Sequence, residues 1–293
     1  MIDLHLHTNV SDGQYSPKET VHLAVCKGAR CIAITDHDRI SGLREAEAAA
    51  KDAGIGFIPG IEISVQGNRE LHILGYHIDY THLGLIEACD NFILLREQRV
   101  TRIYEYLRQK GVPLDDKQVR RHAPQDIVAG RPHFARAMVE AGYVSSVQEA
   151  FDKFLGTPEF DSVERTKPSA KEGISMILDA GGVPVLAHPA LLKLDDKNLE
   201  ELIAALVSHG LMGIECHYST NTLEQTEQYL GCAKRFDLLV TCGSDFHGED
   251  IKPSIGIGSG TDTLSDVEAE SILKRLKLAA DKKFKSAELR VEL

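Results

Sequence analysis

Ile2-Asp3-Leu4-His5-Leu6-His7-Thr8, with Ser11-Asp12-Gly13 just beyond, is the stretch from which the rest of the chain is read. Apolar Ile2, Leu4 and Leu6 alternate with polar Asp3, His5 and His7, the two-residue period of a strand with one apolar face. His5 and His7 therefore project to the same side. Two imidazoles side by side at a strand end can chelate one cation, and Asp12 in the following loop can add an oxygen ligand. The same pair facing solvent on an edge strand would carry no chemistry, so the reading depends on what the remaining chain brings back to this point.

Bulk properties narrow the classes. The chain has 293 residues, 43% hydrophobic and 26% charged, enough for one large core or for a core with an inserted subdomain, and too apolar for disorder. No apolar run approaches the length of a membrane span, and Met1 leads straight into a strand; the expectation is a cytoplasmic protein with no membrane contact. Cys26, Cys31, Cys89, Cys216, Cys232 and Cys242 form no Cys-x-x-Cys pair and read as reduced, mostly buried thiols. The net charge of −11 argues against stable binding of double-stranded DNA on a broad basic face. It leaves room for an anionic substrate, because bound cations reverse the sign of a pocket locally.

Strand and helix signals alternate along most of the chain. Ser16-Pro17-Lys18-Glu19 is a capping box with proline at the first helical position, opening a helix to about Lys27. Cys31-Ile32-Ala33-Ile34-Thr35 is a short apolar run, read as a buried parallel strand that delivers Asp36-His37-Asp38 at its end. Residues 41–53 read as helix. The strand region at residues 56–63 is expected to place Glu62 just past a Pro59-Gly60 turn, and residues 70–78, with His72, form the next strand. The pattern then changes. Residues 85–110 read as one long helix with a basic stripe (Arg96, Arg99, Arg102, Arg108), taken as a solvated face. Further helices are expected at 134–141 and 146–155, the latter from a capping box Ser146-Val147-Gln148-Glu149, with no strand between. Alternation resumes at Ser169-Ala170-Lys171-Glu172, a third capping box, and continues through strands ending at His188, near Glu215-Cys216, and at Asp245-Phe246-His247, before a last helix over residues 265–278. Six or seven strand–helix units suggest an α/β barrel of the (β/α) type, formed by residues 1–84 and 166–293 and interrupted by a helical insertion at 85–165.

In such a barrel, chemistry sits at the C-terminal ends of the strands. His5, His7, Asp12, His37, Glu62, His72, His188, Asp245 and His247 all fall at such ends or in the loops beyond, whereas His22, His77, His82, His122 and His209 do not. Nine ligands, with about three protein ligands per catalytic metal, give two or three divalent ions, with Glu62 or Asp245 able to bridge. Mixed imidazole and carboxylate ligation suits manganese, iron or zinc better than calcium or magnesium. Asp36 and Asp38 flank His37 and are expected to orient ligands. Gly130-Arg131-Pro132-His133 is a turn opening a helix, which presents a guanidinium and an imidazole at an end suited to anions.

These motifs together resemble the PHP (polymerase and histidinol phosphatase) family of metal-dependent phosphoesterases: His5-x-His7 with Ser11-Asp12-Gly13, Thr35-Asp36-His37-Asp38, Gly60-x-Glu62, His72, Ala187-His188-Pro189 and Gly243-Ser244-Asp245-x-His247, in the family's order. The resemblance implies a distorted seven-stranded (β/α) barrel with a trinuclear site, manganese foremost. The insertion around Gly130–Ala135 is similar to that of the subgroup with 3′,5′-nucleotide bisphosphate phosphatase and 5′-to-3′ exoribonucleases of short RNA, in which it covers the active site. The activity implied is hydrolysis of phosphate monoesters on small nucleotides, or of short 5′-phosphorylated RNA, by a metal-bound hydroxide held by Asp12, His37, Glu62 and His188, with Arg131 and His133 binding substrate. The rival activities are a histidinol-phosphate phosphatase and a polymerase-associated accessory or regulatory metal-binding module. Relatives often carry a histidine shortly after the strand at Glu215; here Asn221 stands near that point and His217 earlier.

Overall fold

In the computed structural model the chain divides into two compact units, residues 1–89 with 167–293, and residues 90–166. The structure describes all residues except 68, 69, 124–127, 164, 165, 292 and 293. Residue 165, the expected end of the insertion, therefore lies outside the described residues.

The first unit is a seven-stranded sheet in sequential order: β1 (Ile2–Leu6), β2 (Cys31–Ile34), β3 (Gly56–Ser64), β4 (His72–Tyr76), β5 (Val183–Leu186), β6 (Gly213–Tyr218) and β7 (Leu239–Gly243). It is nearly closed. The His7 N–H donates to the Phe246 carbonyl at 3.0 Å and the Asp245 N–H to the His5 carbonyl at 2.9 Å, so the chain just past β7 meets β1. Helices α1 (Pro17–Cys26), α2 (Leu43–Ala53), α7 (Ala170–Asp179), α8 (Asp196–Ser208), α9 (Leu223–Arg235) and α10 (Asp266–Val291) belong to this unit. Ser16 and Ser169 complete the expected capping boxes of α1 and α7. An apolar cluster joins Ile2 and Leu4 to Ala33, Leu74, Val185 and Cys242 and to Ile272 and Leu276 of α10.

Two expectations about the strands are corrected. Pro59-Gly60 is no turn: β3 runs through it, pairing in parallel with β2 as far as Pro59 and antiparallel with β4 from Gly60 onward. The missing proline N–H costs nothing at the point where the strand changes partner. And the strand–helix alternation is broken after β3, where no helix intervenes before β4 among the described residues. β4 follows β3 as the second arm of a hairpin and lies antiparallel to both β3 and β5. Its first residue, His72, is thereby brought to the same end of the barrel as the last residues of the parallel strands. β1 also lacks a solvent face, since all five of its residues are buried. A bulge breaks its register with β2 between Asp3 and Leu6, and a second breaks the β6–β7 register between Glu215 and His217. Bulges re-aim side chains, and both sit beside the polar residues described below.

The second unit is helical: most of α3 (Leu83–Gln109), then α4 (Asp116–Arg120), α5 (Arg131–Glu140), α6 (Val147–Ala150), a π-helical turn (Phe151–Leu155) and a 3₁₀ turn (Pro158–Ser162). Its own core contains Ile103, Leu107, Val119, Phe134, Met138 and Phe160. Arg99 is not simply solvated. Its Nε donates to the Val163 carbonyl at 3.2 Å and its guanidinium lies over the Phe160 ring. Ser146 caps α6, but the Glu149 carboxylate turns back to Ser145 rather than Ser146, so this capping box is half formed. Among the described residues no helix is long and apolar enough to cross a membrane.

Candidate metal centre

The nine residues singled out by position converge at one end of the barrel. Among the described residues, four groups have potential ligand atoms mutually within 4.8 Å: His7, Asp12, His37 and His247; His5, His7 and Asp245; His5, Glu62 and His188; His37, Glu62 and His72. Glu62 is the hub. Its Oε1 lies 2.9 Å from His188 Nε2, 3.0 Å from His72 Nδ1 and 3.5 Å from His5 Nε2; its Oε2 lies 2.8 Å from His37 Nδ1 and 3.3 Å from His7 Nε2. Asp245 Oδ1 lies 3.2 Å from His7 Nε2 and 3.3 Å from His247 Nδ1. Asp12 Oδ1 lies 3.3 Å from His247 Nε2, on a side chain that is 49% exposed, which puts the rim of the cluster at this loop.

The loop after β1 is shaped to present Asp12. Asp36 accepts from the Thr8 N–H at 2.8 Å, from Thr8 Oγ1 at 2.7 Å and from Ser11 Oγ at 2.6 Å, and Gly13 N–H returns to the Thr8 carbonyl at 2.8 Å. A Cβ on Gly13 would come within 2.6 Å of the His7 carbonyl oxygen, so only glycine permits this approach. Asp38 accepts from the Ser64 N–H at 2.9 Å, tying the end of β3 to the loop after β2. Both carboxylates brace the loops that carry the candidate residues Asp12 and His37.

Burial and neighbouring charges oppose one another across the cluster. Burial disfavours charge on His5, but the Glu215, Glu62 and Asp245 carboxylates outweigh it and hold this imidazole well above its usual range. Burial, reinforced by His247, pushes His7 down to about 3. Burial would raise Glu62, yet His37, His72 and His5 hold it well below the usual carboxylate range. His5 Nε2, both ring nitrogens of His7 and His188 Nδ1 are buried without a hydrogen bond of good geometry. Each such atom costs about 1–3 kcal/mol unless it is satisfied. Buried imidazole nitrogens and carboxylate oxygens facing one another fit divalent cations of the borderline class.

Glu215, Tyr218 and Lys252 join the site without having been singled out from the sequence. Glu215 on β6 is fully buried and contacts His5 and His188. The Tyr218 hydroxyl donates to Asp245 Oδ2 at 2.8 Å, and Lys252 Nζ donates to the same oxygen at 2.7 Å. β6 extends to Tyr218 rather than ending at Glu215-Cys216 as read, and this extension is what brings the tyrosine to the cluster. Asn221 does not join the cluster; its Nδ2 donates to the Cys216 carbonyl at 2.9 Å. Arg131 and His133 lie at the start of α5 in the helical unit. His133 Nδ1 accepts from the Gly130 N–H at 2.9 Å, and the Arg131 guanidinium lies over the Phe151 ring.

A nearly closed, mostly parallel barrel with imidazoles and carboxylates gathered at the strand C-termini defines a hydrolase of the metal-dependent kind. The chain belongs to the PHP family, whose domain matches residues 3–172, and it is a hydrolase acting on phosphate esters. It is 36% identical over 246 residues to a 5′-3′ exoribonuclease of Haemophilus influenzae, covering 84% of this chain and 89% of that one. It is 32% identical over 247 residues to a 3′,5′-nucleoside bisphosphate phosphatase of Chromobacterium violaceum, covering 84% and 87%. Among solved structures, one from Bifidobacterium adolescentis assigned to the metal-dependent phosphoesterases superposes with a TM-score of 0.77 at 32% identity, over 94% of this chain and 96% of that one.

Proposed function

We propose that this protein hydrolyses phosphate monoesters of small nucleotides, either 3′,5′-nucleoside bisphosphates or AMP-like monophosphates, and acts also on short 5′-phosphorylated RNA. The observation that carries the reading is the convergence of six imidazoles and three carboxylates, with buried ring nitrogens aimed at one another, in a phosphoesterase whose relatives are named for nucleotide and RNA substrates.

His5, His7, Asp12, His37, Glu62, His72, His188, Asp245 and His247 are the proposed ligands of two or three divalent ions, manganese foremost, with iron or zinc as alternatives. When bound, such ions supply Lewis acidity toward phosphoryl oxygens and offset the charge that builds there. Three of them would bring +6 against −3 from Asp12, Glu62 and Asp245, which reconciles a phosphate substrate with an acidic chain. Asp12, His37, Glu62 and His188 are the proposed residues around the attacking water. Asp36 and Asp38 keep their loops in register, and Tyr218 and Lys252 turn Oδ1 of Asp245 toward the imidazoles by occupying its other oxygen. Arg131 and His133 are proposed to hold a substrate phosphate; their support is chemical, because guanidinium grips phosphate in a two-pronged geometry and the start of a helix favours anions.

The test is release of phosphate from nucleoside 3′,5′-bisphosphates, 5′-monophosphates and histidinol phosphate, and of mononucleotides from 5′-phosphorylated trinucleotides, by manganese-loaded protein. Turnover of the nucleotide substrates at least tenfold above histidinol phosphate is expected. Preference for histidinol phosphate, or no turnover of any, would reject the reading.

A further inference from the structure

We propose that Glu215 is a positioning residue that sets two of the metal ligands, His5 and His188, with one carboxylate. The inference rests on the proposed metal centre and adds to it a residue that binds no ion itself.

Glu215 lies on β6 between β5, which leads into His188, and β7, which meets β1. Its side chain is fully buried. Oε1 is 3.0 Å from His5 Nδ1, and Oε2 accepts the backbone N–H of His188 at 2.8 Å. The two oxygens thus act on different strands. A carboxylate on Nδ1 holds the proton on that nitrogen and leaves Nε2, which faces Glu62 and Asp245, as the ligating atom. The second contact is to backbone under strain: His188 has φ 26° and ψ 61°, in the left-handed region, directly before Pro189. Few residues other than glycine sit there unless their surroundings hold them. The Glu215 acceptor provides such a hold, and the His5 and His188 rings end stacked at 5.7 Å between centroids.

The requirement for a carboxylate follows from proton counting. Both partners must donate, His5 through Nδ1–H and His188 through its amide, so both atoms of the acceptor must be oxygens. Glutamine offers one oxygen and one NH₂. If its oxygen faces the His188 amide, its NH₂ faces His5 Nδ1 and drives the ring to the tautomer that cannot ligate through Nε2. If it is flipped, His5 is served and two donors confront each other at His188. Either arrangement fails one ligand, while volume is unchanged.

The experiment compares wild type with Glu215→Gln. Bound manganese is counted after gel filtration and its affinity measured by titration, the melting temperature of the metal-free forms is recorded, and long-range ¹H–¹⁵N spectra report the ring nitrogens of His5 in metal-free and zinc-loaded wild type. Glu215→Gln should lose about one ion per chain, with affinity there falling about 10–100-fold, the range for partners that orient metal-bound histidines. A melting temperature near wild type distinguishes this from general loosening. Equal stoichiometry and affinity in the two proteins would overturn the proposal while leaving the metal centre intact. If the variant does not fold, the zinc-loaded wild-type spectrum decides: Nδ1 of His5 protonated while Nε2 is bare of its proton supports the assignment, and Nδ1 bare overturns it. Absence of bound metal in wild type would instead reject the proposed metal centre and, with it, the positioning role of Glu215.

Discussion

Replacing Glu62 with glutamine removes the one carboxylate that faces five imidazoles, and its effect can be scaled from the grouping of ligands. Glu62 contributes to two of the four groups, with His5 and His188 and with His37 and His72, whereas Asp12 contributes to one. An electrostatic partner at a reacting centre is worth about 10²–10³ in turnover. A residue serving two ions should then cost about 10⁴–10⁶, or about 5.5–8 kcal/mol, and Asp12→Asn about 10²–10³. Glutamine keeps the volume of glutamate, so the barrel should stay folded. The assay is turnover of an aryl phosphate at saturating manganese, with circular dichroism as the check on fold. A folded Glu62→Gln within tenfold of wild type would refute the reasoning, and so would an Asp12→Asn as damaging as Glu62→Gln, since the hub would then have no special standing.

Elemental analysis after metal-replete purification should find two or three transition ions per chain; one or fewer would exclude the shared-ligand arrangement. Arg131→Lys should weaken a bisphosphate or a 5′-phosphorylated oligonucleotide by about 1.5–3 kcal/mol, roughly 10–150-fold, while an aryl phosphate changes much less; equal loss on both would move Arg131 to the reacting phosphate, and no loss would remove it from the site. Gly243→Ala would bring a methyl group within 2.2 Å of His5 Cβ and 2.9 Å of Glu215 Oε1, so it should lower the melting temperature, cost about 1–3 kcal/mol by denaturant titration and weaken metal binding. An unchanged stability would mean that the β1–β7 seam is softer than its contacts indicate.

The parts of the site legible in the sequence were those where local pattern and chemistry coincide. His5 and His7 alternate with leucines, His37, His188 and His247 end apolar runs, and period and position together mark them as barrel-end donors. Glu62 was found for a partly mistaken reason, because a proline–glycine pair looks like a turn wherever it stands, and only pairing with two different strands shows why β3 carries it. His72 is the first residue of its strand; that it faces the others depends on β4 running antiparallel, which no local periodicity encodes. Glu215, Tyr218 and Lys252 were missed because their roles lie in contacts with residues far away in the chain. A glutamate in an apolar strand was visible, but nothing local says that one oxygen would meet His5 and the other the amide of His188.

The seam between β1 and the chain after β7 also has a consequence for how the protein comes into being. The Ser244 amide donates to Asp3 across 241 residues, and closing a loop of that length costs about 5 kcal/mol in chain entropy beyond a constant. At ribosomal rates of about 5–20 residues per second, the His5–His7 pair emerges roughly 10–50 s before Asp245 and His247 exist. During that interval the proposed metal centre lacks Asp245 and His247, and it is complete only once the chain beyond the final strand has joined β1.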